Sequence, residues 1–232
     1  MLGSRGVDEP SIIQRGVDLN DQVYATLKDR LLARVIGPRD RLRLQALADE
    51  LGVSRSPVHH ALTRLTTEGL VSVDRRGYSA RPVTATLMFE SHNVRCALEL
   101  YAAEQSVGGA GAAQLEEFRR LLERTVQSVE NFEFVDKRDY MLANKAFHEY
   151  LVDIAGNETL SATYRSLCVH QLMERALAGD AIAAGDSTAE HRRIVAAYEA
   201  GDLAAAREAI IANVETGKQL ALGAIEEAGG VL

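Results

Sequence analysis

The chain has 232 residues, of which 47% are hydrophobic and 25% are charged, and it carries a net charge of −7. This length and hydrophobic content suffice for one large or two small globular domains with a buried core. Glycine and proline together make up under a tenth of the residues, which excludes collagen-like, linker-like and low-complexity chains. The two cysteines, Cys96 and Cys168, are too few for a disulfide framework, so each is expected to lie in a core.

The sequence offers no segment for membrane insertion or export. No run approaches the roughly eighteen apolar residues of a membrane span, and the first twenty residues lack the basic start and apolar middle of a signal peptide. We therefore expect a cytoplasmic protein with no membrane partner. Residues 1–20 show little hydrophobic periodicity and are expected to form a mobile leader.

Charge is distributed unevenly along the chain. Residues 21–84 hold eleven basic and seven acidic side chains, a net charge of +4, whereas residues 90–232 sum to −10. A basic first third indicates a module that meets a polyanion, joined to an acidic body that does not.

The basic segment, residues 21–82, predicts a winged helix-turn-helix domain. An amphipathic helix over 21–34 is stopped by Gly37-Pro38, and a short helix with Leu44 and Leu47 on its apolar face is closed by Gly52. A second helix begins near Ser54 and ends at Gly69, and residues 70–81 alternate in polarity as a β-hairpin does. This order of elements within about 65 residues is typical of a winged DNA-binding module.

The second helix of the pair is predicted to present a polar face to DNA. If its apolar residues pack inward, the side chains left facing solvent are those of Arg55, Ser56, His59, His60, Thr63 and Arg64. We expect phosphate contacts from Ser54, Arg55, Ser56 and Arg64, and base contacts from Arg55, His59 and Thr63. The predicted wing, Arg75, Arg76 and Gly77, would lie along the minor groove. The alternative is that these arginines are ordinary solvated surface charges that do not contact DNA.

The run LADELGVSRSPVHHALTRLTTEGLV, from Leu47 to Val71, resembles the GntR family of bacterial transcription regulators. The stretch Gly-Val-Ser-Arg-Ser-Pro-Val and the Arg-Arg-Gly wing carry the resemblance. One departure is that the family usually has Arg-Glu after the Pro-Val pair, where this chain has His59-His60. Because that arginine commonly contacts DNA in relatives, the resemblance implies a different operator sequence here.

Residues 83–232 predict an antiparallel all-α bundle of about six helices, so the predicted fold class is mainly α. The predicted helices cover roughly residues 84–107, 112–131, 134–155, 158–178, 187–200 and 203–227.

This half resembles the FCD effector-binding and dimerisation domain that accompanies the FadR-type branch of GntR regulators. Three motifs appear in the expected order: the segment Asn93 to Glu99, Ala146-Phe147-His148 followed by Gly156-Asn157, and Glu190-His191 preceding Gly201-Asp202. Six helices rather than seven favour the VanR-like subgroup.

The resemblance also implies a divalent metal site, for an ion such as zinc or nickel, in the core of the bundle. The matching positions in this chain are Asn144, His148, His191 and Asn213. The spacing of Asn144 and His148 places both on one helix face. Two of the four ligands are amides where the family has a carboxylate and an imidazole, so a metal is expected to bind weakly or not at all.

The resemblance gives Arg95 the role of binding the carboxylate of a small organic acid, helped by His148 and His191, with Asn144 and Asn213 lining the same site. A guanidinium suits this role because its planar fork can make two bonds to a carboxylate. The alternatives are a salt bridge from Arg95 to Glu99 one turn on, a core histidine at position 148 and a helix-start histidine at position 191. His92 and His170 are expected to serve surface or core packing, with lining of the cavity as the alternative for His170, which lies in mid-helix.

These observations predict a ligand-responsive regulator that binds a near-palindromic double-stranded DNA operator as a homodimer, as a repressor relieved by its ligand. One alternative is a metal-dependent hydrolase built on the bundle around His148 and His191. A second is a helical protein-binding scaffold, which leaves the winged module unexplained. The sequence has no nucleophile elbow, Walker loop, dinucleotide fingerprint or His-Glu-x-x-His motif, so we expect no enzyme.

Overall fold

The computed structural model describes residues 18–130, 133–134, 136–177 and 187–232. Residues 1–17 of the predicted leader lie outside these ranges. The other three residues of that prediction belong to the first helix: Asp18 is the N-cap of α1 (Leu19–Leu32), and its carboxylate accepts a hydrogen bond from the Asn20 backbone at 3.1 Å. An aspartate that caps a helix in this way fixes the entry of the chain into the domain.

The winged helix-turn-helix prediction is confirmed. After α1 come β1 (Arg41–Leu42), α2 (Leu44–Leu51), α3 (Arg55–Thr67), β2 (Val71–Asp74) and β3 (Gly77–Ala80). The three strands form an antiparallel sheet in the order β1-β3-β2. Gly52 ends α2 with φ 65°, a left-handed conformation that glycine adopts without strain. Strand β1 was not predicted, because two residues are too short to show an alternation.

The core of this domain forms where α1 packs on α3. Both helices place apolar residues on the facing sides, and the buried ones are Val23, Leu27 and Leu31 on α1 and Val58, Ala61, Leu62 and Leu65 on α3. Each fully buried leucine contributes roughly 1.5–3 kcal/mol to stability. Because this stripe faces inward, the opposite face of α3 is left for solvent or for a ligand.

Within the described ranges, seven helices follow the wing, joined by one small hairpin. They are α4 (Ala85–Ser106), α5 (Ala112–Gln127), α6 (Lys137–Asp153), α7 (Glu158–Ser166), α8 (Val169–Ala176), α9 (Ser187–Ala200) and α10 (Leu203–Glu227). The hairpin pairs β4 (Val129–Glu130) with β5 (Glu133–Phe134). Helix α10 packs along both α4 and α9.

The helix predicted over 158–178 is wrong, because the chain breaks it into α7 and α8. Cys168 lies between them in a left-handed conformation, with φ 53°. Hydrophobic periodicity continues through the break, so the sequence pattern gave no warning of it. The described part of this half has seven helices, so the predicted number of six, on which the VanR-like subgroup was favoured, is wrong.

The helix predicted from Phe134 also begins later than expected. Phe134 pairs with Val129 in the hairpin, and Asp136 caps α6 by accepting from the backbone nitrogens of Arg138 and Asp139. The predicted breaks at Asn131 and at 179–185 lie outside the described residues. Cys168 is buried as expected, whereas Cys96 is only half-buried.

The short helix α8 lies against the DNA-binding domain. At its C-terminus the Arg34 Nη2 atom donates to the Ala176 carbonyl oxygen at 2.8 Å. At its N-terminus Cys168 packs on Gly69, the residue that ends α3 with φ 71°. Farther along the junction, Val83 and Leu232 exchange backbone hydrogen bonds of 2.7 and 3.0 Å.

Gly69→Ala is expected to destabilise the protein. A Cβ at this position would lie 2.7 Å from the Cys168 Cβ atom, and the left-handed backbone itself disfavours a side chain. We expect a loss of at least about 2 kcal/mol in the free energy of unfolding measured in urea. Gly223→Ala is the matched control: it lies within α10 with no atom within 4 Å of the added Cβ, so stability should rise by about 0.5–1 kcal/mol. Equal effects of the two changes would contradict the packing described at Gly69.

Candidate functional sites: a nucleic-acid interface and a buried polar cluster

The exposed face of α3 presents a row of polar side chains beside a shallow surface groove. Its inward residues Val58 and Leu62 are fully buried, whereas the outward residues predicted to meet DNA are exposed. The groove is lined by Asn20, Leu44, Arg55, Ser56, His59, His60 and Thr63. The geometry of a helix with one buried and one polar face is that of a recognition helix.

The wing is held in shape by Asp74. Its two carboxylate oxygens accept from the two terminal nitrogens of Arg41, each at 3.0 Å, and one of them also accepts from the Arg76 backbone nitrogen at 2.7 Å. The Arg41 hydrogen bonds hold the pKa of Asp74 below its ordinary value. Gly77 completes the turn with φ 100°. The side chains of Arg75 and Arg76 are therefore exposed at the tip of an ordered hairpin.

Tyr78 joins the wing to the recognition helix, which sequence reasoning missed. Its ring lies edge-on to His59, with centroids 6.1 Å apart, and its hydroxyl lies 3.5 Å from the Thr63 hydroxyl. Two of the side chains predicted to read bases are therefore supported by β3. Only the strand alternation after Gly77 could have indicated this, and it does not specify the partner.

Arg64 is held against α1, although it was predicted to contact phosphate. Its guanidinium lies 3.6 Å from the centroid of the Tyr24 ring and donates to Asp21 at 3.1 Å. A second ion pair links it to Glu68 at 3.5 Å. A phosphate contact from Arg64 would have to compete with these partners.

A second group of polar residues is buried in the helical domain. Arg95 on α4, His148 on α6 and His191 on α9 were predicted to form a site, and the structure brings all three together. Each is 2% exposed or less. We call this group, with Glu99, Tyr164 and His170, the buried cluster.

Glu99 is the centre of the buried cluster. Its Oε1 atom accepts from Arg95 Nε and from the Tyr164 hydroxyl, both at 2.7 Å. His148 Nδ1 lies 3.3 Å from the same oxygen. Burial alone would raise the pKa of Glu99, but the charge of Arg95 outweighs it and keeps that pKa well below the ordinary value. The pair is therefore ionised, as a buried carboxylate beside a guanidinium should be.

The histidines of the cluster are neutral at physiological pH. Burial, helped by the charge of Arg95, lowers the pKa of His148 and of His170, and burial with the neighbouring His148 lowers that of His191. His148 Nε2 and His191 Nε2 lie 3.1 Å apart, so one of them donates to the other. His170 Nε2 lies 3.3 Å from the Tyr164 hydroxyl.

The cluster leaves much of its hydrogen-bonding capacity unused. Arg95 Nη2 and Glu99 Oε2 are buried without a hydrogen-bond partner, and so are the Nδ1 atoms of His170 and His191. His92, one turn before Arg95, adds an unpartnered Nε2, and burial lowers its pKa to about 4. Unpaired buried polar atoms are costly, so a concentration of them indicates a place where a ligand binds.

The donor chemistry at the four implied metal positions is incomplete. The 3.1 Å between the two Nε2 atoms of His148 and His191 is near the spacing of about 3.3 Å for two nitrogens on one zinc ion. The other two positions are neutral amides, Asn144 and Asn213, and Asn213 donates to Glu190 at 3.3 Å. Among the described residues, no group of three or more His, Cys, Asp or Glu side chains could hold a metal. These residues do not fit a tightly held metal.

Sequence reasoning gave no signal for Tyr164 of the buried cluster or for Met173 beside it. For His170, packing was the expectation and lining the cavity the alternative, and the structure places it in the cluster. Met173 places its Sδ atom 3.9 Å from Arg95 Nη1. The Glu99 contact, by contrast, is the i, i+4 salt bridge considered as an alternative for Arg95. The structure contains that salt bridge and also leaves Arg95 Nη2 free.

Comparison with known proteins matches both halves of the chain to known domains. Residues 19–78 match the model of bacterial regulatory proteins of the gntR family, and residues 90–216 match the FCD domain. YdhC of Bacillus subtilis, an uncharacterized HTH-type transcriptional regulator, is 29% identical over 83% of this chain and 86% of its own length. A probable repressor of a D-xylose utilization operon from Paenarthrobacter nicotinovorans is 29% identical over 75% of each chain.

A solved structure shows the same architecture. That of McbR/YncC from E. coli has a TM-score of 0.67 and 25% identity, covering 89% of this chain and 98% of that one. The chain therefore belongs to the GntR family of DNA-binding transcription regulators, in the FadR-type branch that carries an FCD domain. It is a regulator and not an enzyme, so the hydrolase alternative is wrong. Within the described ranges, no helix is long and apolar enough to cross a membrane.

Arg55→Ala is expected to weaken operator binding without unfolding the protein, because this exposed side chain lies in the α3 groove. For a duplex selected from a random pool, fluorescence anisotropy should show a loss of about 1–3 kcal/mol, roughly fivefold to 150-fold in Kd. Arg120→Ala, an exposed position on α5, should leave the Kd unchanged. Wild-type affinity in Arg55→Ala would contradict the assignment of the recognition face.

Arg95→Met is expected to destabilise the fold by about 3–5 kcal/mol, because it leaves the buried Glu99 carboxylate without its cation. Adding Glu99→Gln removes that charge while keeping an acceptor for Tyr164, so the double variant should recover most of the loss. Urea unfolding followed by circular dichroism measures both. A double variant as unstable as the single one would show that the charge pair is not the source of the effect.

Proposed function

We propose that this regulator is a homodimeric repressor whose affinity for its operator falls when a small carboxylate binds in the buried cluster. Arg95 would anchor the carboxylate, and the neutral imidazole that accepts at Nε2 in the His148–His191 hydrogen bond would donate to it from its Nδ1 atom. The observation that carries the proposal is the set of buried, unpartnered polar atoms around Arg95. A guanidinium nitrogen and an imidazole N–H in one buried site are donors that a carboxylate accepts from.

Helix α8 supports a route from this cluster to DNA. On one side of α8, Met173 contacts Arg95 and His170 contacts Tyr164. On the other side, the C-terminal carbonyls of α8 accept from Arg34, and Glu174 lies 4.0 Å from Lys28 on α1. A ligand at Arg95 that moved α8 would therefore move the DNA-binding domain.

Such a ligand changes DNA affinity only if it binds one arrangement of the two domains better than the other. A tenfold change needs about 1.4 kcal/mol of coupling. That is comparable to one net hydrogen bond, so the contacts of Arg34 with α8 are of the right size to carry it.

The homodimer and the assignment as a repressor are proposed from membership of the GntR family. Two copies related by twofold symmetry would place two α3 helices in successive major grooves of a near-palindromic operator in the cytoplasm. The relative named for D-xylose utilization is described as a repressor, which supports repression here. No step of the proposal depends on a metal, since Asn144 and Asn213 supply amides.

The proposal is tested by measuring operator binding in the presence of small carboxylates, with and without a 2-amino or 2-hydroxy group. At least one acid should weaken operator binding tenfold or more in the wild type. Arg34→Gln should still bind that acid, measured by calorimetry, but should lose most of its effect on DNA, because the link to α8 is removed.

The matched control is Arg30→Gln on α1, four residues before Arg34, where the side chain pairs with Glu50 at the surface. It should keep the full response. If no acid alters operator binding, the proposed effector site is wrong. If Arg34→Gln responds as the wild type does, the route through α8 is wrong.

A further inference from the structure

The salt bridge between Arg95 and Glu99 is one-sided. Arg95 Nε donates to Glu99 Oε1 at 2.7 Å, whereas Nη2 and Oε2, the second donor and the second acceptor of the pair, bond to no protein atom. Arginine and carboxylate frequently pair through two parallel hydrogen bonds, which would engage all four atoms. Here a donor and an acceptor of the same buried pair are both left free. A ligand that satisfies the pair must accept at one point and donate at another.

The electrical balance of the site restricts that ligand further. Arg95 and Glu99 carry opposite charges and are 2% and 0% exposed, so the pair is already neutral as a unit. A ligand with a carboxylate alone would bury one uncompensated negative charge beside Glu99. Burying an unpaired charge is unfavourable by several kcal/mol.

We infer that the cluster binds a 2-amino acid as its zwitterion, with the carboxylate on Arg95 Nη2 and the ammonium group on Glu99 Oε2. This inference rests on the proposed function, because it places the effector at the same site. The ammonium group supplies the hydrogen bonds and the charge that Glu99 Oε2 lacks, and the carboxylate supplies the acceptor that Arg95 Nη2 lacks. The zwitterion adds no net charge to the buried site.

The side chain beside this pair is adaptable. Met173 contacts Arg95 Nη1 through its sulfur, and its Cε atom lies 3.3 Å from where a Cβ of Gly217 would stand. An unbranched thioether can change rotamer to admit a ligand side chain at little cost. Met173 belongs to α8, so a bound amino acid would contact the helix that joins the DNA-binding domain.

The test compares matched ligands on the full-length wild-type protein. The twenty L-amino acids are screened by thermal shift. Alanine and aspartate, as fixed probes, and the amino acid giving the largest shift are then compared by calorimetry with their 2-hydroxy and 2-deamino counterparts. For alanine these are lactate and propionate, and for aspartate they are malate and succinate. We expect the amino acid that binds most tightly to have a Kd at least tenfold lower than either counterpart, because the counterparts leave Glu99 Oε2 without its cation.

Each outcome decides the inference. A 2-hydroxy or 2-deamino acid that binds as tightly as its amino acid, or more tightly, overturns it and leaves the small-carboxylate effector of the proposed function standing. If no acid of any of the three classes binds, the inference and the proposed effector site both fail.

Glu99→Gln tests the residue assigned to the ammonium group. It keeps the shape and an acceptor but removes the charge, so the preference for the amino acid over its 2-deamino counterpart should fall by at least tenfold. Glu116→Gln, an exposed position on α5, should keep the wild-type preference. An unchanged preference in Glu99→Gln overturns the inference. If that variant does not fold, the comparison of ligands on the wild-type protein decides alone.

Discussion

The buried ion pair of Arg95 and Glu99 is the constraint on which the helical domain depends. Two charges with exposures of 2% and 0% remain ionised only because each has the other and because Tyr164 donates to the same carboxylate. The pair therefore fixes how α4 meets α7 and, through His148, how it meets α6. A buried pair is weak evidence for stability by itself, since apolar residues often pack as well. Its unpartnered atoms point to binding instead.

The same pair lies beside α8, the helix that contacts the DNA-binding domain. On α8, His170 belongs to the buried cluster and Met173 contacts Arg95. A few positions along the same helix, Glu174 faces Lys28, and the C-terminal carbonyls accept from Arg34. Because α8 has only eight residues, a shift of its contacts with the buried cluster is expected to move its contacts with the DNA-binding domain as well. Close packing of this kind makes small local shifts effective over a distance.

Sequence reasoning was most successful where the signal is local. The recognition face of α3 follows from helical periodicity, and Gly52 and Gly69 end their helices in left-handed conformations as glycine usually does. It failed where the signal is not local. Cys168 adopts a left-handed conformation without being glycine, and Tyr164 reaches Glu99 from 65 positions away. The resemblance grouped Arg95, His148 and His191 and the structure brings their side chains together, but no sequence pattern shows which of their atoms stay free.

Whether a ligand binds between Arg95 and Glu99 is tested most directly by a high-resolution crystal structure of the protein as purified. We expect electron density for a small molecule that contacts both Arg95 Nη2 and Glu99 Oε2, with the carboxylate on the guanidinium. A site in which Nη2 and Oε2 bond directly to each other, with no other group between them, would contradict it. The cluster would then be a closed structural salt bridge and not a place where a ligand binds.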